Sequence, residues 1–189
     1  MMPSQFRKAN IKDNKDELLS KIRIIDNLFP DYDSKSIREK HEFESVLCNY
    51  YTGGKIGSDG LLVNFSSKLT LYADQALTKI NYGRVKQTLS TVFLVSDNES
   101  PFRDVMHVDD SSPFENGYTL SYHFMGENNC GGTSFYQDYE SDTPLLQVPF
   151  KENRLVVFPA CIPHTGYTNA GYAYKSKRVI YTLFTILDM

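Results

Sequence analysis

From Arg84 onward the chain is a succession of short apolar and aromatic runs cut by turn clusters, and this punctuation restricts the fold more than any other feature. The runs cover residues 88–95, 105–109, 118–125, 133–136, 145–147, 155–158 and 179–187. Between them stand Asp97-Asn98-Glu99-Ser100-Pro101, Asp110-Ser111-Ser112-Pro113, the glycine-bearing stretch 126–132 and Lys151-Glu152-Asn153. Runs of that length bounded by Gly, Pro, Asn and Asp read as strands. Seven or eight such strands make a β-sandwich or a jelly roll.

The first 83 residues read differently. Asp13 can cap a helix whose first turn carries Asp16 and Glu17, which suits the positive end of its dipole. A short strand at 23–25 follows, then a break at Phe29-Pro30-Asp31. Ser34 or Ser36 caps a second helix running to Val46, with His41 on its surface. Leu69, Tyr72, Ala73, Ala76, Leu77 and Ile80 recur at spacings of three and four, which predicts a helix over 68–80 that ends at Asn81-Tyr82-Gly83. Helices first and strands later give an α+β, mainly β chain, with N-terminal helices bracing one sheet. We expect one domain over 1–189, with 1–83 as helical support and 84–189 as the β core.

Residues 52–60 hold four glycines but lack the spacing of a phosphate loop. They read as a mobile loop, with a lid over a pocket as one use. The net charge of −3 gives no electrostatic reason to expect nucleic acid or an anionic membrane. Cys48, Cys130 and Cys161 are odd in number and form no C-x-x-C pair, against a disulfide framework and in favour of a reducing compartment. No apolar run reaches membrane-spanning length, so the expectation is a soluble, cytoplasmic protein. In that setting the sequon Asn64-Phe65-Ser66 is accidental.

Three residues stand out chemically. On a strand, His107 and Asp109 project from one face, and His164 lies 55 positions beyond Asp109 after a buried run that leads into a loop between Pro159 and Pro163. Two histidines and a carboxylate form a facial set that leaves metal positions open, as in non-haem Fe(II) oxygenases. H-x-D alone arises often by chance. Arg178 adds weight, because an arginine opening an apolar strand calls for an anion, and its fork fits a carboxylate with Thr182 beside it. Lys175 and Lys177 nearby leave open a solvated turn instead. Cys161 lies three residues before His164, but a nucleophile needs its base within hydrogen-bond reach and no third orienting residue is identifiable, which discounts a thiol nucleophile.

Taken in order, His107-Val108-Asp109, Gly131-Gly132-x-x-Phe135, Arg154-Leu155-Val156-Val157-Phe158-Pro159, Pro163-His164 and Arg178-x-x-x-Thr182 resemble the Fe(II)- and 2-oxoglutarate-dependent dioxygenases, closest to the prolyl-hydroxylase-like branch. Ile24 to Pro30 is similar to the lead-in of that branch. The resemblance implies a double-stranded β-helix of the jelly-roll, cupin-like type. It implies His107, Asp109 and His164 as iron ligands, Arg178 with Thr182 as the site for the distal carboxylate of 2-oxoglutarate, and O2 as co-reactant. The presence of the carboxylate favours hydroxylation over halogenation. A tyrosine after the H-x-D turn commonly touches the cosubstrate. Here the strand register puts His123, Thr119 and Ser121 on the pocket face and Tyr122 on the other, and a one-residue slip would exchange His123 with Tyr122. The substrate reads as a prolyl residue or a small molecule, with specificity in the loops at 52–60, 97–104, 110–117 and 137–143. Aromatic residues in 114–124 serve as core or pocket lining. A non-catalytic binding protein on the same fold and a cupin-like metalloenzyme without 2-oxoglutarate are the alternatives.

Overall fold

A computed structural model describes residues 15–30, 60–96, 106–109, 117–168 and 178–189. The expected helix over 34–46 with His41, the glycine-rich stretch 52–59 and the loop at 97–104 lie outside these residues. Two helices and eight strands are described: α1 (Lys15–Ser20), β1 (Arg23–Asp26), α2 (Gly60–Lys79), β2 (Arg84–Ser96), β3 (Tyr118–Met125), β4 (Gly131–Phe135), β5 (Leu146–Pro149), β6 (Arg154–Pro159), β7 (His164–Thr168) and β8 (Arg178–Asp188). All pairings are antiparallel. They form a five-stranded sheet in the order β1-β6-β3-β8-β2 and a three-stranded sheet in the order β5-β4-β7.

Each layer follows from side-chain periodicity. Leu69, Ala73 and Leu77 recur every four residues on α2 and are fully buried. They meet Leu120, Tyr122 and Phe124 of β3, Leu155 and Val157 of β6, and Tyr181 and Leu183 of β8 in an outer core. The opposite face of β6 gives Val156 and Phe158 to an inner core between the sheets, with Phe135, Val148 and Ile162. This burial on both faces is why 155–158 is a continuous apolar run rather than an alternating one. Gly132 fits where no other residue does, because a Cβ there would stand 2.1 Å from the Val148 carbonyl oxygen.

Several boundaries differ from expectation. α2 begins eight residues before 68 and runs through Asn64, Ser66 and Ser67, residues that favour caps and turns. It ends as predicted at Asn81-Tyr82-Gly83. Asn81 has a φ of 52°, and the Tyr82 and Asn81 amides reach back to the carbonyls of Leu77 and Thr78. The strand expected over 105–109 reduces, among the described residues, to one bridge between His107 and His164. His164, read as a loop residue, instead opens β7. Among the described residues no helix is long and apolar enough to cross a membrane.

Asn153 joins the lead-in to this frame. It holds a φ of 60°, which asparagine tolerates better than most residues. Its side chain accepts from the Phe29 amide and donates to the Phe29 carbonyl, at 2.9 and 2.8 Å. Its own carbonyl takes the Leu28 amide. Leu28 and Phe29 are thereby fixed into the outer core.

Candidate metal centre

The segment 106–109 lies along the outer edge of β7. His107 and His164 exchange both backbone hydrogen bonds, at 3.0 and 2.9 Å, and the Asp109 amide donates to the Ala160 carbonyl at 2.8 Å. These bonds bring together residues that the sequence separates by more than fifty positions. His107 Nε2 lies 3.8 Å from Asp109 Oδ1, and His164 Nε2 lies 3.5 Å from Asp109 Oδ2. One ligand atom from each of the three residues falls within 4.8 Å of the others. Thus the expected trio converges, although 107–109 is not a regular strand.

The surroundings of His164 fix its ring and its tautomer. Its Nδ1 donates to the Ile162 carbonyl at 2.9 Å, which leaves the Nε2 lone pair directed at Asp109. Phe158 packs against the ring edge to face, with centroids 4.8 Å apart. Burial pushes the imidazole below its ordinary pKa; Asp109 opposes this and His107 adds to it. A neutral imidazole is the form a metal requires. Nitrogen and oxygen donors without a thiolate suit a non-haem iron, so the residues present fit the ion.

The inner face of the large sheet leads away from this trio. Thr119, Ser121 and His123 of β3 lie on it, and all three are buried. Ser121 pairs with Thr182 of β8, also buried, and His123 pairs with Ile180. The His123 ring stacks on Phe150 at 4.8 Å and its Nδ1 accepts the Lys151 amide, so its proton resides on Nε2. Tyr122 is not brought to the site. It sits in the outer core with its hydroxyl on Asn153, so the register excludes the one-residue slip. Arg178 opens β8 opposite Ser96, and its side chain lies outside what the structure describes. Tyr118, Tyr122 and Phe124 belong to the outer core rather than to a pocket lining. Cys130 and Cys161 form no disulfide.

Two contacts of the trio escaped sequence reasoning, although Thr119 was expected on the pocket face. Thr119 donates to Asp109 Oδ2 at 2.7 Å, a contact made across a chain crossing that no spacing reveals. Tyr139, in the loop between β4 and β5, takes a hydrogen bond from the Val108 backbone. Burial raises the pKa of its phenol, the Val108 bond opposes the rise, and Asp109 reinforces it. Its place in the loop at 137–143 is the only signal the sequence offered.

No model of a protein family matches the sequence, and no curated protein does. Solved structures do. A prolyl 4-hydroxylase from Phytophthora capsici superposes with a TM-score of 0.60 at 15% identity, over 90% of this chain and 61% of that one. This chain therefore spans about three fifths of that relative. The epimerase SnoN, solved with Fe3+, alpha ketoglutarate and nogalamycin RO, gives 0.59 at 10% identity over 90% and 83%. A prolyl hydroxylase from Trichoplax adhaerens, in complex with a peptide of hypoxia inducible factor, gives 0.56 at 12% identity over 90% and 86%. The chain shares the jelly-roll fold of the 2-oxoglutarate- and iron-dependent oxygenases, prolyl 4-hydroxylases among them.

Proposed function

We propose that the protein is an Fe(II)- and 2-oxoglutarate-dependent oxygenase that hydroxylates a peptidyl or small-molecule substrate. The observation that carries this reading is the convergence of His107, Asp109 and His164 beside a buried polar face on this fold. In the proposal those three residues hold iron. When bound, Fe(II) with 2-oxoglutarate and O2 supplies oxidative decarboxylation to succinate and CO2, coupled to oxidation of a substrate C–H bond.

The chain's own residues bind and orient. Arg178 takes the distal carboxylate of 2-oxoglutarate through its planar fork, and the Thr182 hydroxyl adds a hydrogen bond. His123, with its proton on Nε2 and its ring fixed against Phe150, supplies a further donor where tyrosine is common in the resembling enzymes. The apolar inner core of Phe135, Phe158 and Ile162 backs the site and keeps water from it. A prolyl residue is the first substrate class to try, since two of the solved relatives are named prolyl hydroxylases.

The test is succinate release from 2-oxoglutarate, with Fe(II) and O2 supplied and omitted, across free amino acids, proline-containing peptides and nucleobases. Release should require both iron and O2, and Asp109→Ala should abolish it. Full turnover by Asp109→Ala would sink the assignment. Arg178→Ala should raise the 2-oxoglutarate requirement far more than the iron requirement. Oxygen consumption indifferent to the oxo acid would point to a metalloenzyme of another kind.

A further inference from the structure

We infer that Thr119 is a positioning residue that orients Asp109 as a metal ligand, an inference that rests on the metal reading above. The backbone of the segment carrying His107 and Asp109 is tied down by the bridge to His164, by the Asp109 amide on Ala160 and by the Val108 bond to Tyr139. None of these backbone ties restrains the carboxylate's own torsion. Thr119 does, with its hydroxyl 2.7 Å from Oδ2.

The anchor is rigid. β3 is paired on both sides, with Thr119 opposite Phe158 of β6 and Phe184 of β8. Thr119 is only 2% exposed, and a β-branched residue has few rotamers to visit. The hydrogen bond thus transfers the position of the large sheet to a carboxylate borne on a segment outside the regular strands. It also engages one oxygen of the carboxylate and leaves Oδ1 for the ion. Partners of this kind commonly govern metal affinity about 10- to 100-fold.

Thr119→Val keeps the shape and the strand preference while removing the donor, and Thr119→Ser keeps the donor. Co(II) titrated into the metal-free protein under nitrogen, followed by visible absorption, reads metal affinity without turnover. Thr119→Val should bind Co(II) at least about tenfold more weakly than the wild type, and Thr119→Ser should recover the wild-type affinity. Thermal melts of all three should coincide, which separates positioning from folding. Wild-type affinity in Thr119→Val overturns the role of Thr119 and leaves the metal centre standing. Failure of the wild-type protein itself to bind Co(II) overturns both.

Discussion

On β3, Leu120, Tyr122 and Phe124 turn toward α2 while Thr119, Ser121 and His123 turn toward the smaller sheet. The two faces are equally inaccessible, with Leu120 and His123 both at 0% exposure. Their chemistry is opposite. The outer face is apolar and aromatic, with the Tyr122 hydroxyl satisfied by Asn153, and its burial stabilises the fold. The inner face holds hydroxyls and an imidazole out of water, which costs free energy unless each finds a partner. A single strand thus separates the work of holding the sheet from the work of building the site.

The strongest way to break this comparison is to truncate one residue on each side. Leu120→Ala removes a fully buried side chain from the outer core and should cost about 2–5 kcal/mol of stability, with little change in Co(II) affinity for the folded fraction. Asp109→Ala should do the reverse, losing Co(II) binding while the melt of the metal-free protein barely moves. Denaturant unfolding and metal titration on the same two variants decide the matter. A Leu120→Ala protein that melts normally but binds metal poorly would show that the faces are not separable.

Asn153 sharpens the comparison because it ties the outer core to the lead-in. Asn153→Ala strands the Phe29 amide and carbonyl and places alanine at a φ of 60°. The expected loss is about 2–4 kcal/mol, from buried groups left unpaired and from backbone strain. Asn153→Gly relieves the strain but not the lost bonds, so it should fall between alanine and wild type in chemical denaturation. Equal losses for the two variants would assign the whole effect to the hydrogen bonds.

The same division explains what the sequence made legible. Strands β3, β6 and β8 and the face of α2 announce themselves because burial imposes a period on their side chains. The trio His107, Asp109 and His164, which the fold brings together, stood out through residue type and order, since few sequences collect two histidines, a carboxylate and a following arginine in this way. β7 was not, because Pro163, Thr165 and Gly166 carry turn chemistry and only pairing with β4 and His107 makes the stretch a strand. Lys151-Glu152-Asn153 was correctly a turn, yet the reach of Asn153 to Phe29 spans 124 positions and leaves no local trace. The Thr119–Asp109 bond is hidden for the same reason: local pattern records which face a residue takes, and tertiary structure alone decides what it meets there.

Acid should distinguish the inner face from the outer, whose buried cluster among the described residues holds no histidine or carboxylate. His164 titrates below its ordinary value in the folded state, chiefly through burial. Below about pH 6.5 the unfolded chain then binds a proton that the folded, metal-free protein does not. Stability should therefore fall as pH drops through that value, and continue to fall until the folded imidazole is itself protonated. Urea midpoints of the metal-free protein between pH 7 and 5 measure the slope, and His164→Gln should flatten it. An unchanged slope in that variant would place the responsible proton elsewhere.

The smallest effect is expected at the far end of β1, where charge is paired near the surface rather than buried at the site. Arg154 Nε and Lys151 Nζ lie 2.6 and 2.8 Å from the Asp26 carboxylate. The hydrogen bond from Arg154 is the main cause that holds the Asp26 pKa down to about 2; burial opposes it and the bond from Lys151 supports it. A carboxyl depressed on folding contributes stability above its unfolded pKa of 3.8 and loses it as pH falls toward 2. With the Asp26 side chain 35% exposed, solvent screening limits that contribution to under about 1 kcal/mol. Asp26→Asn should accordingly lower stability slightly at pH 7 and hardly at all at pH 2, as read from urea midpoints. Since β1 pairs Asp26 with Arg154 at the edge of the large sheet, the loss should leave metal affinity unchanged; a variant that lost Co(II) affinity would mean that this edge is coupled to the trio through β6.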